Sequence, residues 1–440
     1  MKSRLPLWCA VLGVLGVSGW AIARRVPSAR QSPLSAAAPP QPQRPPYDRD
    51  AVHQNLEFYA KQVVSDPQSA IFQASLSNCY LESYRETGDA ADVVGAEKAA
   101  RASLKLRPVN NGGAYFQLSR ALVAQHRFRE ALQAARNAAR YSRTAFRQCA
   151  DIQVEIGDYE AARRDLGRSP FQKDDPAYLA LQARFLEIGG NNAGARQLLQ
   201  RAAAQAEANL DVPPQSVAWF WERLGHIQFQ NGEWEAAKAS YGRALQVFPR
   251  DYRTMAALSR LYAARGEWKD CLLWGERAAA IVPAPDTIAL LGDAYAARGA
   301  RILAAQKYAL VDAMERLSRS QGVVYDRQRA LFYANRRQKL PVALQLARGE
   351  LRQRHDIYAF DTLAWIYFQM GRLEEAQRAS DQALRFKTGD AMLWYHAGLI
   401  ADARGQKARA RADLERALQL NSHFLLPADQ NRARQILARL

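Results

Sequence analysis

The side chains best suited to catalysis or metal binding are few in this 440-residue chain, and their spacing does not group them. The four cysteines lie far apart, at Cys9, Cys79, Cys149 and Cys271. No close pair among them matches a zinc or redox motif, and Cys271 falls at a position that repeatedly holds a small residue. Because free cysteine is among the most buried residue types, we expect inert thiols and no metal site.

The six histidines form no ligand pattern such as His-Glu-x-x-His. The sequence has no glycine loop with a following lysine to cradle a phosphate, and no strand-to-helix elbow for a serine nucleophile. A lone histidine on a helix is more often a packing residue than a base, which is what we expect of His396. We therefore predict no catalytic residue, no cofactor and a protein that is not an enzyme.

Small residues share one register along the chain, and most neighbours in the series are about 34 residues apart. The series consists of Ala131, Ala162, Ala195, Ala237, Cys271, Ala304, Ala343, Ala376 and Ala410. The steps from Ala195 to Ala237 and from Ala304 to Ala343 are longer, which predicts inserted loops or helix extensions there. A small side chain at a recurring position lets helices approach closely, so the series predicts stacked helix pairs.

A glycine stands five residues before most members of that series. These glycines are Gly157, Gly190, Gly232, Gly266, Gly299, Gly371 and Gly405. Glycine adopts a left-handed backbone without a Cβ penalty, so each one predicts the turn inside a helix pair. His126 and Gln338 replace glycine in two repeats, where we expect longer or strained turns.

The apolar residues follow helical spacing along the body of the chain, as from Ala236 to Val247, and no segment alternates like a strand. The first helices are predicted over 48–64 and 68–87, with Pro67 between them and Gly88 ending the second. The predicted fold class is all-α.

One unit carries the repeat pattern in full, with Trp221, Leu224, Gly225, Ala237, Tyr241, Ala244 and Pro249 at their expected spacing. On these residues the chain resembles a tetratricopeptide repeat protein, over residues 77–440 in about ten units. The resemblance implies an α-α superhelical solenoid of about ten helix pairs, which acts as a noncatalytic scaffold for other proteins. The C-terminal stretch is also similar to bacterial repeat proteins of undefined role.

The N-terminal residues form a separate segment. Lys2 and Arg4 precede an uncharged stretch from Leu5 to Ala23, which Arg24 and Arg25 end. A stretch of about 19 apolar residues can cross a bilayer, so residues 1–25 are predicted to be a signal anchor or a signal peptide. We expect the chain to be anchored in the membrane with its repeats outside the cytoplasm, in the periplasm. If cleavage follows Ala23, the chain is secreted. Because positive charges flank the segment on both sides, the opposite orientation, with the repeats in the cytoplasm, is an open alternative.

The remainder divides into a linker and the repeats. Residues 26–46 are rich in Pro, Ala, Ser and Gln, a composition that cannot bury enough apolar surface to fold, so they are predicted to be an extended linker. Residues 47–440 are predicted to form the solenoid.

The charge of the chain leaves two classes of partner open. Its formal net charge of +18 comes mostly from arginines spread over every repeat. The favoured function is capture of a protein or an extended peptide in the concave groove, at or beyond the membrane. The alternative is a basic surface that binds an anionic polymer such as an envelope glycan, lipid headgroups or nucleic acid, with nucleic acid the least expected of these. The oligomeric state is not fixed by the sequence.

In tetratricopeptide repeats the first helix of each pair lines the concave face, so the resemblance implies a contact stripe on those helices. Its expected partner-binding residues are Trp219, Glu222, His226, Phe229, Arg253, Arg260, Tyr325, Phe332, Tyr358, Asp361, Trp365 and Phe368. The same stripe in the early repeats contains Phe116, Arg120, Arg147, Asp151, Arg184 and Glu187. Aromatic residues and arginines are typical of binding hot spots, although an aromatic residue at helical spacing can equally be a packing residue.

Overall fold

The computed structural model describes residues 47–170, 175–321 and 326–440. The anchor and the linker expected over residues 1–46 lie outside the described residues. Within the described ranges, the regular structure consists of 22 helices and contains no strand, which confirms the all-α prediction. The described residues form one compact unit, and the domain boundary expected at residue 47 stays a prediction.

The helices follow one another with short connections. In the first half they are α1 (Arg49–Ser65), α2 (Ala70–Thr87), α3 (Ala90–Leu106), α4 (Gly112–Ala124), α5 (Phe128–Ala139), α6 (Ala145–Ile156), α7 (Tyr159–Arg168), α8 (Pro176–Ile188), α9 (Asn192–Ala208), α10 (Pro214–Gln230) and α11 (Trp234–Val247). In the second half they are α12 (Tyr252–Ala264), α13 (Trp268–Ile281), α14 (Pro285–Ala297), α15 (Arg301–Gln321), α16 (Asp326–Asn335), α17 (Leu340–Leu351), α18 (Ile357–Gln369), α19 (Leu373–Ala383), α20 (Ala391–Ala403), α21 (Lys407–Leu420) and α22 (Pro427–Arg439).

From α2 to α21 each even-numbered helix packs against the odd-numbered helix that follows it, while α1 packs on α2 and α22 on α21. The small residues of the repeating series all lie in these contacts. Eight of the nine side chains are fully buried and Ala304 is 4% exposed, so a larger side chain has no room at these positions. The register read from the sequence is confirmed, and Cys271 is a buried packing residue, as are the free thiols of Cys79 and Cys149.

The predicted turns are confirmed as well. All seven glycines of the series, and Gly88 at the end of α2, have a positive φ. His126 replaces glycine with φ 59°, a conformation that costs a residue with a side chain some strain. Around Gln338 it is the neighbours Arg337 and Lys339 that have a positive φ.

The two long steps of the series have a structural explanation. Between Ala195 and Ala237, α9 and α10 each extend to 17 residues, and between Ala304 and Ala343, α15 extends to 21 residues. Longer helices therefore account for the irregular spacing.

Helix pairs that are far apart in sequence also contact each other. The backbone N–H of His355 donates to the Ile156 carbonyl at the end of α6, over a distance of 2.5 Å. Asn192 donates to the Gly389 carbonyl and Gln430 to the Ala264 carbonyl, across separations of 197 and 166 residues. The stack of helix pairs therefore winds back on itself, so that the turn after one first helix contacts the start of a later one.

Candidate functional site

The first helices of the pairs carry a set of ionisable side chains that protein encloses, and all of them except the buried Glu187 are partly accessible to solvent. We call this set the inner cluster. It consists of Asp151, Arg184, Glu187, Glu222, Arg223, His226, Tyr358 and Asp390, from α6, α8, α10, α18 and the N-cap of α20.

Asp151 shows this environment most clearly. Its side chain is 44% exposed and lies 3.1 Å from the guanidinium of Arg147. The protein that surrounds the carboxylate nevertheless displaces much of its hydrating water, and this desolvation raises the pKa of Asp151 to about 6. The negative charge of the neighbouring Glu155 raises the pKa further. The carboxylate therefore carries a charge that its surroundings compensate only in part.

An ion-pair network occupies the centre of the cluster. Glu187 is 1% exposed, and its Oε2 lies 2.9 Å from Nη1 of Arg184 and 3.0 Å from Nη2 of Arg223. Burial alone would raise the pKa of Glu187, but the two guanidinium groups outweigh it and hold the pKa at about 2. Arg184 and Arg223 are therefore already paired within the protein.

Glu222 and His226 on α10 have no such compensation. Burial raises the pKa of Glu222, against the opposing effect of Arg223. Burial and the charge of Arg223 lower the pKa of His226 to about 3, so this imidazole is neutral at physiological pH. Among the described residues, Glu222 makes no salt bridge, and a cation from elsewhere would stabilise its charged form.

Tyr358 and Asp390 complete the cluster from the second half of the chain. Nη1 of Arg184 lies 3.5 Å from the Tyr358 hydroxyl, and its guanidinium lies 5.3 Å from the ring centroid. Asp390 caps α20 by accepting from the Met392 N–H. Burial raises the pKa of Asp390 to about 6, and the nearby Asp361 contributes in the same direction. The winding of the stack thus places first helices from both halves of the chain around one polar region.

Comparison with known proteins identifies the repeats. A family model described as "Tetratricopeptide repeat" matches residues 357–388 and 392–424, which contain the pairs α18–α19 and α20–α21. These residues of the chain are tetratricopeptide repeats. No curated protein sequence matches the chain. Repeats of this kind support a role as a scaffold for protein interaction in general.

Solved structures show related helical architecture. The human IFIT1 dimer with PPP-AAAA is 14% identical, with a TM-score of 0.48 over 77% of this chain and 78% of that one. PilW, described as a widely conserved type IV pilus biogenesis factor, is 16% identical, with a TM-score of 0.39 over 46% and 93%. A tetratricopeptide repeat protein from Parabacteroides merdae is 18% identical, with a TM-score of 0.33 over 60% and 97%.

The residues expected to bind a partner occupy different environments in this repeat protein. Glu222, His226 and Tyr358 belong to the inner cluster. Arg253 and Arg260 on α12 are exposed and lie close enough to Glu222 to favour its charged form. Arg260 also lies 3.5 Å from the exposed Asp286. These five are the expected residues that the repeats bring together.

Three others are buried in the packing between repeats. Trp365 is 6% exposed, stacks on the His396 ring at 4.2 Å and donates from Nε1 to Asn335. Asp361 is 3% exposed and accepts from Nδ1 of His396 at 3.0 Å, and Phe332 is 5% exposed. His396 is the hydrogen-bonded packing residue that the sequence predicts.

The last four expected residues lie elsewhere. Phe229 and Phe368 are half-buried and pack against Trp234 and Trp365, at ring distances of 5.2 Å and 5.3 Å. Trp219 is 42% exposed and contacts Phe220 edge-on. Tyr325 lies outside the described residues. That any of the twelve contacts a partner stays a prediction.

Two further features of the repeats bear on chemistry and on membranes. Within residues 47–170, 175–321 and 326–440, no three histidine, cysteine or acidic side chains are placed to hold a metal ion. Over the same ranges, no helix combines the length and apolar character needed to cross a bilayer. The apolar stretch from Leu5 to Ala23 lies outside them.

Arg223 and Asp390 of the inner cluster were absent from the sequence prediction. Arg223 follows Glu222, which belongs to the expected stripe, and so lies outside that stripe. Its long side chain nevertheless reaches Glu187. Asp390 precedes its helix as an N-cap, so no stripe pattern includes it. An aspartate before an apolar helical run is a recognisable cap, but a cap alone does not indicate a binding residue.

Proposed function

We propose that the protein holds an extended segment of a partner protein against the inner cluster, and that lysine or arginine side chains of that segment lie opposite its carboxylates. The observation that carries this proposal is the combination of accessibility and raised pKa in the acidic side chains of the cluster. Burial raises the pKa of Asp151 and of Asp390 to about 6, and it also raises the pKa of Glu222. Groups in this state gain most from a cationic ligand.

The scaffold suits an extended segment. The cluster includes side chains from α6, α8, α10 and α18, so a ligand that contacts all of them spans several repeats. An extended chain reaches about 3.3 Å per residue and presents side chains on alternate sides, which lets a short segment cross several helices. Tyr358 offers an aromatic surface with a polar tip in the same region, a side chain typical of hot spots.

A titration with matched variants tests this function. The full chain serves as bait, the bound segment is mapped by cross-linking, and a synthetic copy of that segment is titrated against each variant. Glu222→Gln removes a carboxylate of the inner cluster, whereas Glu235→Gln removes one on α11, a second helix, that is 81% exposed and 3.6 Å from Arg265. We expect about tenfold weaker binding for Glu222→Gln and unchanged binding for Glu235→Gln.

The same titration has a pH dependence with a definite sign. A cationic segment favours the charged carboxylates, so its affinity is greatest above their pKa values and falls as they are protonated. With the pKa of Asp151 and Asp390 at about 6, binding weakens between about pH 7 and about pH 5. An affinity that is unchanged in Glu222→Gln and rises on acidification would contradict the proposed segment.

We also propose that residues 1–25 attach the protein to a membrane and that its repeats lie outside the cytoplasm. This proposal is supported by the apolar stretch from Leu5 to Ala23 between Lys2 and Arg4 on one side and Arg24 and Arg25 on the other. Fractionation of cells that express a chain without residues 1–25 tests this proposal.

A further inference from the structure

A pocket lies between α5, α6 and α7, away from the inner cluster. Its volume is about 460 Å³. The polar side chains that line it are Arg136, Arg140, Gln153, Arg164, Asp165 and Arg168. Arg136 comes from α5 and Arg140 from the C-cap of that helix, Arg164 and Arg168 come from α7, and Gln153 comes from α6 between them.

The charge of this pocket is strongly unbalanced. Asp165 is its single acidic residue, and its carboxylate lies 3.2 Å from Nη1 of Arg168 and accepts from Gln153 at 2.9 Å. Within the described residues, the guanidinium groups of Arg136, Arg140 and Arg164 make no salt bridge and no hydrogen bond. These three guanidinium groups thus share one pocket without a carboxylate partner of their own, and each raises the electrostatic cost of the others.

Two contacts make the pocket a formed site rather than a group of mobile surface side chains. The guanidinium of Arg168 lies 3.6 Å from the ring centroid of Phe146, which also lines the cavity, and this stacking holds the guanidinium in place. Gln153 is 1% exposed, and its Oε1 has no hydrogen-bond partner within the described residues. The buried Gln153 side chain donates to Asp165 and so fixes one wall of the pocket.

The chemistry of the lining selects phosphate among anions. Guanidinium groups bind phosphate oxygens through paired, charge-assisted hydrogen bonds, and several arginines together match a group with more than one negative charge. A volume of about 460 Å³ falls in the range of small-molecule sites and exceeds what a single phosphate occupies. The ligand therefore carries more than one phosphate, or a phosphate with a further polar group.

We propose that the pocket between α5, α6 and α7 binds the phosphate groups of a small phosphorylated ligand. Arg136, Arg140 and Arg164 hold the phosphate oxygens, and Arg168 stays paired with Asp165. The ligand is either a soluble phosphorylated compound or the headgroup of a phospholipid. This site is separate from the inner cluster, and it does not depend on the function proposed above.

Calorimetric titration of the full chain in neutral detergent with pyrophosphate tests the proposal. Arg136→Gln with Arg164→Gln removes two unpaired charges from the pocket. Arg250→Gln with Arg298→Gln is the matched control, because it removes two exposed arginines outside the pocket and leaves the same net charge. We expect one pyrophosphate per chain, about tenfold or more weaker binding in the pocket variant, and unchanged binding in the control. All four side chains are exposed, and circular dichroism verifies that both variants stay helical.

Three results would overturn the proposal: no pyrophosphate binding by the natural chain, equal binding by the natural chain and the pocket variant, or equal losses in the pocket variant and the control. Equal losses would show attraction by net charge alone. Calorimetric titration with glycerophosphoglycerol, the water-soluble headgroup of phosphatidylglycerol, then distinguishes the two sources of phosphate, because it does not involve the N-terminal segment. Headgroup binding that the pocket variant loses assigns a lipid headgroup, and pyrophosphate binding without headgroup binding assigns a soluble ligand.

Discussion

The contact between α6 and α18 makes a quantitative prediction about Gly157. Gly157 has φ 93°, and a Cβ atom on it would lie 2.4 Å from the carbonyl carbon of His355 and 2.5 Å from the Asp356 nitrogen. Gly405 occupies the equivalent turn after α20 with φ 73°, but a Cβ there meets nothing within 4 Å. Gly157→Ala therefore tests both the turn and the contact between distant pairs, whereas Gly405→Ala tests the turn alone.

The expected costs follow from these contacts. A left-handed alanine costs about 1–2 kcal/mol, which is the whole effect predicted for Gly405→Ala. In Gly157→Ala the backbone of His355 must also move away, which breaks its hydrogen bond to Ile156, a contribution of about 0.5–1.5 kcal/mol. The ion pair between Arg354 and the 43% exposed Glu155 adds at most about 1 kcal/mol. The total for Gly157→Ala is about 1.5–4.5 kcal/mol.

Urea denaturation of both variants measures the difference, and hydrogen exchange locates it. We expect a lower midpoint for Gly157→Ala than for Gly405→Ala, with faster exchange of the His355 amide in the former only. Equal midpoints together with a protected His355 amide in Gly157→Ala would refute the winding of the stack on itself.

Three other perturbations have definite outcomes. Trp365→Ala removes a buried, stacked ring and should lower the free energy of unfolding by about 3–5 kcal/mol. Trp219 is 42% exposed, so Trp219→Ala should lower it by less than about 1 kcal/mol. Equal decreases in melting temperature for the two variants would contradict these placements. Asp390→Asn keeps the cap of α20 but removes the charge. Burial raises the folded-state pKa of Asp390 to about 6, so the stability that its protonated form contributes is present at low pH and is lost between about pH 4 and about pH 6. Asp390→Asn should therefore become more stable relative to the natural chain as the pH rises through this range. A difference in unfolding free energy between the two chains that does not change with pH would contradict this expectation. Deletion of residues 1–25 should release the protein from membranes, and a truncated chain that still sediments with them after a high-salt wash would place the tether elsewhere.

The sequence predicts the repeat units well because each unit depends on local chemistry. Close helix contact requires small residues, and a left-handed turn requires glycine, so Ala237 and Gly232 identify their unit without any knowledge of the rest of the fold. The lengths of α9, α10 and α15 follow from the spacing in the same way. These are properties of one or two adjacent helices.

The contacts between distant pairs leave no comparable signal. The Gly389 N–H donates to the Glu187 carbonyl, and the side-chain amide of Asn421 donates to the Phe229 carbonyl. Three of these four atoms belong to the backbone and are common to most residues, so the sequence does not mark the contacts between distant pairs. The expected stripe fails to separate inner from buried residues for a related reason. Tyr358 and Trp365 are seven positions apart and therefore lie on the same side of α18. Tyr358 nevertheless reaches Arg184 while Trp365 is buried against His396, because different helices lie opposite the two turns of α18.

Site-specific photo-cross-linking tests the central claim most directly. A benzophenone side chain is placed at Tyr358 in the inner cluster or at Ile302, which is 77% exposed on α15, a second helix. After irradiation of the full chain with its partner, the cross-linked peptides are sequenced by mass spectrometry. The inner-cluster proposal predicts that position 358 labels one contiguous partner segment that contains lysine or arginine, and that position 302 does not label it. Labelling of that segment from position 302 and not from position 358 would contradict it.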